Sequence, residues 1–184
     1  GETPGISWRD GRGEATGLPD DCADLVLVGL AFHWMEPGPA SLEIGRILKL
    51  GGVLAIANNG FTGEMVGNPD FARWWKTYLA RFPTPARKHS ALTLELGQTA
   101  GLAVVVDEPR FDYHERFHAA SLAGYLATQS NALDHLQRSG EDPQAWIDGL
   151  TTELRPIFHA AEADFRFQGR LAVWRKSALT LAPG

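Results

Sequence analysis

The sequence predicts an α/β fold built on parallel strands. Two observations carry that reading: unbroken apolar runs at Leu25-Val26-Leu27-Val28 and Val53-Leu54-Ala55-Ile56-Ala57, and a helix-length segment between them. Continuous apolar runs are expected of parallel strands buried on both faces, and two such strands joined by a helix form one crossover. Pro37 and Pro39 mark the start of the helix and Leu42, Ile44, Ile47 and Leu48 its buried side. Gly51-Gly52 marks its end, where a left-handed cap needs no β-carbon. A polar loop follows each strand, and ligands of open α/β sheets bind beyond the carboxyl ends of the strands.

Before the crossover, Ile6-Ser7-Trp8-Arg9 is a further strand candidate. After it, Asn68 can cap a helix with Pro69 at its first position. Phe71, Trp74, Trp75, Tyr78, Leu79 and Phe82 then recur at helical spacing until Pro83 and Pro85 stop it. Such an aromatic stripe reads as core rather than as a pocket lining. Leu92 to Ala100 reads as a short helix closed by Gly101, and Ala103 to Phe117 as a strand interrupted at Pro109. Ser121 can cap one helix and Asp142-Pro143 opens another, which Pro156 bends or ends. Phe165-Arg166-Phe167 and Leu171-Ala172-Val173-Trp174 form the last strand, with Gly169 as a bulge or turn within it. No repeat, low-complexity tract or linker divides residues 1–184, so a single domain is expected.

The composition limits the chemistry. A chain of 184 residues with 44% hydrophobic content can bury a core of its own. A net charge of -5 and a pI near 5.7 give no broad basic field for a phosphate backbone, which argues against nucleic acid as a partner. The single cysteine, Cys22, rules out an internal disulfide framework, and the acids beside it in Asp20-Asp21-Cys22 disfavour the thiolate. No apolar stretch reaches bilayer length and no signal-peptide pattern opens the chain, so the default location is the cytoplasm, with no membrane partner.

Gly11-Arg12-Gly13-Glu14-Ala15-Thr16-Gly17-Leu18-Pro19, then Asp24-Leu25-Val26, Ala31-Phe32-His33-Trp34, and Glu43, Arg46, Ile47, Leu48 and Gly51-Gly52 occur in an order that resembles class I S-adenosylmethionine-dependent methyltransferases. The likeness is to the second half of the methyltransferase 11 type, which includes the trans-aconitate enzymes, and it covers about the first third of the chain closely. It implies a Rossmann-like methyltransferase sheet whose last two strands form an antiparallel edge pair, with a helical lid insertion between them at residues 121–163. Thr128 and Ser130 match residues that the family carries near the start of that insertion. The family's opening strand with its Gly-rich cofactor turn, and the acidic residue after its second strand, have no counterpart here, so the chain reads as an N-terminally incomplete member.

The resemblance also implies the site. Gly13 and Glu14 would set a backbone amide against the adenine of S-adenosylmethionine, although the same residues suit a plain tight turn. Arg12 stands where the family commonly has an acidic or small residue. Leu30, Ala31, Phe32 and His33 would pass beneath the methionine part of the cofactor. His33 could serve as a general base toward a hydroxyl or amine substrate, or simply pack the loop with Trp34. Trp34, Asn58 and Asn59 are the substrate-side candidates; Asn58-Asn59-Gly60 equally makes an ordinary turn. His114 and His118 have the spacing of paired ligands on a helix, but their surroundings look extended and no metal site is expected.

Three functions compete. The first is methyl transfer from S-adenosylmethionine to a small molecule, inactive in this chain if the missing strands are indispensable. The second is a non-catalytic methyltransferase remnant serving association without cofactor, for which an exposed sheet edge would favour a homodimer. The third is a nicotinamide-dependent oxidoreductase, which would lack both its glycine fingerprint and a Tyr-x-x-x-Lys pair.

Overall fold

The computed structural model describes residues 4–86, 92–106 and 110–177. The chain forms two compact units, Gly1–Asn58 with Arg87–Pro109 and Arg170–Gly184, and Asn59–Ala86 with Arg110–Gly169. Each has its own apolar core.

In the first unit, β1 (Ala23–Gly29) leads through a 3-10 turn at Phe32–Trp34 into α1 (Pro37–Ile47), and β2 (Leu48–Met65) begins directly after it. β1 and β2 are parallel, with Leu25 opposite Val53 and Val28 opposite Ile56. The expected crossover is therefore present. The strand order is β1-β2-β5-β3, where β3 is Leu102–Val106 and β5 is Ala163–Lys176, and β3 pairs antiparallel to β5. Val28, Leu54, Ile56, Leu102 and Trp174 pack with Ala40, Ile44 and Leu48 on one face of this sheet. Gly45 of α1 lies so close to the end of α3 (Leu94–Thr99) that a Cβ there would stand 2.3 Å from the Ala100 carbonyl oxygen.

Burial on both faces of β1, expected from its apolar run, is not found. Leu25 and Leu27 are 60% and 65% exposed, because alternate residues of β1 point to opposite faces and, among the described residues, the core packs only on the face that carries Val26 and Val28. Leu42 of α1 is likewise exposed, and Ala40, Ser41 and Gly45 are buried in its place. α1 ends at Ile47 rather than at Gly51-Gly52. The Asp21 and Cys22 amides capture the Arg46 and Ile47 carbonyls at 3.1 and 2.9 Å, and Leu48 turns extended into the core. Gly51 does take the left-handed conformation, at φ +81°, but within the start of β2. Ile6–Arg9 forms no strand; Ile6 and Trp8 are exposed and find no strand partner among the described residues.

The second unit begins where β2 runs on through Asn59 and Gly60 to Met65, so the Asn58-Asn59-Gly60 turn does not occur. α2 (Pro69–Arg81) starts as expected, with the Asn68 side chain accepting from the Asp70 amide at 3.0 Å. β4 (Arg110–Phe117) pairs with β5, and the stretch expected as one strand from Ala103 is two, with Pro109 outside the described residues. Gly169 sits inside a continuous β5. Three helices fill the insertion: α4 (Ala119–Ala127), α5 (Ser130–Ser139) and α6 (Pro143–Leu154).

Ser121 is not the cap of α4 but the third residue of a capping box. His118 Nδ1 accepts from the Ser121 amide at 3.1 Å, while Ser121 Oγ accepts from the His118 amide at 3.0 Å. His114 and His118 therefore belong to a strand and a cap, not to one helix face. Asp142 caps α6, which gives way at Pro156 to a single 3-10 turn. The aromatic stripe of α2 is core, as its spacing predicts: Phe71 and Tyr78 are fully buried against Leu122, Leu126, Leu150 and Phe165. Trp74 Nε1 and Arg81 both bond Glu153 of α6, at 2.7 and 3.0 Å, tying the two helices together. Among the described residues no helix is long and apolar enough to cross a membrane.

Candidate functional site

The parallel strands of the first unit bring two loops together beyond their carboxyl ends. One is the turn at Arg12–Ala15, closed by the Ala15 amide donating to the Arg12 carbonyl at 3.0 Å. The other runs from Leu30 to Glu36, the N-cap of α1. They touch at two points: the Met35 side chain lies over Gly13, where a Cβ would meet its sulfur at 2.6 Å, and Glu14 Oε1 accepts from the Glu36 amide at 2.8 Å. That carboxylate sits at the N-terminus of α1, where the helix dipole favours negative charge. Gly13 and Glu14 thus occupy the centre of a tight turn, as both readings of the sequence allow, and the structure sets this turn against the second predicted loop.

That loop is held in a costly conformation. Leu30 adopts φ +56°, a left-handed backbone in which a non-glycine side chain is strained, and its amide donates to Ala57 of β2 at 2.9 Å. The strain turns the chain sharply out of β1. Phe32 is 1% exposed, so its side chain anchors the 3-10 turn in the core and only its backbone reaches the loop surface. Trp34 and Met35 amides close the turn on the Ala31 and Phe32 carbonyls. His33 is half-buried, with its ring 4.9 Å from that of the exposed Trp34. Asn58 ends the first unit's part of β2. Asn59 belongs to the second unit, where its amide nitrogen donates to the Tyr113 hydroxyl at 2.6 Å.

A polar clasp behind the first loop went unassigned in the sequence, although its residues were among those carrying the resemblance. Glu43 Oε1 accepts from the Thr16 amide and hydroxyl at 2.8 and 2.5 Å, and Arg46 grips the same carboxylate through Nε and Nη2, each at 2.8 Å. Arg46 Nη2 also donates to the Leu18 carbonyl at 2.8 Å, and Nη1 pairs with Asp20. These bonds, led by that of the Arg46 guanidinium, hold the Glu43 carboxyl down to about 2. The clasp fixes residues 16–20 on α1 and so positions the Arg12–Ala15 turn immediately before them. A Glu three residues ahead of an Arg on a helix was the available signal, but that spacing alone reads as surface pairing.

Comparison with known proteins finds similarity to methyltransferases. The methyltransferase domain family matches residues 1–56. Over 49 residues the chain is 41% identical to an uncharacterised methyltransferase of Mycobacterium tuberculosis, covering 27% of this chain and 20% of that protein. Over 56 residues it is 41% identical to one of Schizosaccharomyces pombe, covering 30% of this chain and 22% of that protein. The matching stretch therefore spans about a fifth of the length of these curated relatives, at 20% and 22%. Among solved structures, one described as a putative type II methyltransferase from Anaeromyxobacter dehalogenans superposes with a TM-score of 0.63 at 25% identity, covering 96% of this chain and 73% of that one.

Proposed function

We propose that this chain, which carries the class I methyltransferase fold and that family's matching segment, binds S-adenosylmethionine in its first unit and serves methyl transfer to a small molecule. The observation that carries the reading is the contact between the Arg12–Ala15 turn and the Leu30–Glu36 loop at the carboxyl ends of two parallel strands. The residues present fit the adenine and methionine portions of the cofactor. Gly13 and Glu14 offer a turn whose backbone can approach a flat ring, and Leu30 to His33 offer a kinked backbone with one side chain withdrawn into the core.

When bound, the cofactor supplies an already reactive methyl carbon on a sulfonium, and the protein's task is alignment and exclusion of water. Phe32 fixes the loop, the Glu43–Arg46 clasp fixes the turn, and Trp34 presents an exposed aromatic ring at the rim. His33 stands beside it as acceptor for a proton leaving a hydroxyl or amine substrate. Asn58 and Asn59, at successive positions of β2, are the hydrogen-bonding candidates for that substrate.

Isothermal calorimetry of the chain with S-adenosylmethionine tests the cofactor reading. Saturable heat that is lost in a Gly13→Trp variant is expected. Absence of heat at millimolar ligand overturns it. That result would favour the second reading, a non-catalytic association module, which the exposed Leu25 and Leu27 on the edge strand support.

A further inference from the structure

The second unit carries an aromatic ladder that its core does not fully absorb. Residues 111, 113 and 117 of β4 and 165 and 167 of β5 fall at alternate positions and carry Phe, Tyr, Phe, Phe and Phe. The Phe117, Phe165 and Phe167 rings pack with the helices. Tyr113 stacks on Phe167 with ring centres 5.3 Å apart and planes 27° apart, and Phe111 stacks on Tyr113 at 6.1 Å and the same angle. Phe111 is 44% exposed. Its ring lies over Gly169, where a Cβ would come within 2.1 Å of it, so a residue without a side chain makes room for an aromatic ring held near the surface.

The polar end of the ladder is set just as definitely. With Asn59 donating to the Tyr113 oxygen at 2.6 Å, the phenol proton is directed elsewhere and the Asn59 carbonyl oxygen stays available. The pair offers one donor and one acceptor side by side, both uncharged. Charged side chains at the intervening positions pair: Arg166 with Asp112 of β4 and Glu64 of β2, and Arg116 with Asp164. Among the ladder's own positions on β4, residue 115 is a glutamate, which disfavours an anion.

We propose that Phe111, Tyr113 and Asn59 form a subsite of the second unit for a neutral, flat, hydroxyl-bearing ring. The ring lies against the exposed Phe111 ring at the end of the stack, and its hydroxyl exchanges hydrogen bonds with the Tyr113 phenol and the Asn59 carbonyl. The substrate class follows from this pairing. An aliphatic alcohol satisfies the polar end but forfeits the stacking, and a ring carboxylate would meet Glu115 on the same face of β4.

The test is titration of the full chain with 2-naphthol, followed by calorimetry, with cyclohexanol and 2-naphthoate as controls. Stacking plus one hydrogen bond predicts 2-naphthol binding about tenfold tighter than either control. Tyr113→Phe keeps the ring and is expected to weaken 2-naphthol about 3- to 10-fold. Phe111→Ala is expected to weaken it about 3- to 10-fold without altering the circular dichroism spectrum. Gly169→Ala, which must displace the Phe111 ring, should reproduce the Phe111→Ala effect with Phe111 still present. Equal binding of the three probes, or insensitivity to all three substitutions, overturns the subsite. S-adenosylmethionine titrated into the same samples separates the two failures. Its heat without 2-naphthol discrimination removes the subsite and leaves the cofactor reading, and discrimination without its heat does the reverse.

Discussion

Glu43 and Arg46, one turn apart on α1, meet through two parallel hydrogen bonds of 2.8 Å, and the same carboxylate oxygen that takes Arg46 Nη2 also takes both donors of Thr16. A local helix pair thereby becomes a long-range clasp on a loop 27 residues earlier.

The clasp makes stability acid-sensitive. The Glu43 carboxyl is held to about 2 in the folded chain against an ordinary 4.5, so the unfolded chain binds the proton more readily. Its contribution is complete above about pH 5 and is lost as pH falls toward 2. Urea midpoints measured across that window should fall less steeply in Glu43→Gln than in the parent, and at neutral pH the variant should be less stable by about 1.5–3 kcal/mol. Parallel acid limbs for the two proteins would refute the assignment.

Leu30 offers the opposite sign. Replacing it with glycine removes the left-handed strain at φ +56°, and a gain of up to about 1 kcal/mol is expected in urea unfolding after the flexibility of glycine in the unfolded chain is counted. Leu30→Val, β-branched at the same φ, should lose about 1–2 kcal/mol.

Gly45 and Gly149 are both helical but should respond oppositely to alanine. A Cβ at Gly45 would stand 2.3 Å from the Ala100 carbonyl oxygen, a backbone atom that cannot swing aside, whereas nothing lies within 4 Å of one at Gly149. Thermal denaturation should show Gly45→Ala destabilised by about 2–4 kcal/mol and Gly149→Ala stabilised by about 0.5–1 kcal/mol.

The capping box of α4 is equally open to measurement. His118→Ala removes the acceptor for the Ser121 amide and should cost about 0.5–2 kcal/mol, with Asn or Asp at 118 restoring most of it. An alanine variant as stable as the parent would mean that this helix start contributes nothing.

The crossover, the aromatic helix and the Asn68 and Asp142 caps were legible because their signals are local: apolar runs, helical spacing, and a short polar residue ahead of proline. Three features were not. The exposed faces of Leu25 and Leu27 depend on which neighbours a strand acquires, and an apolar run cannot report that. The end of α1 is set by amides of residues 21 and 22, more than 20 positions upstream, so Gly51 looked like the cap while serving another turn. His118 was overlooked as a cap because imidazole rarely takes that role; its spacing to His114 drew attention to metals instead. Of the candidate site, the Gly13-Glu14 turn and the loop after β1 were foreseeable from the resemblance, but the contacts that join them, through Met35 and Glu36, were not. The Tyr113 partner of Asn59 was not, because 54 residues separate them.

Lys176, near the end of the described chain, donates to the Leu48 carbonyl and to Asp21 at 2.7 and 2.8 Å, across 128 and 155 residues. The first unit is thus stitched from three separate passes of the polypeptide, and this fastening joins positions more than a hundred residues apart. Without β5, α1 and the parallel pair lack their third neighbour, so closure of this half waits on contacts of high sequence separation, the kind that slows folding.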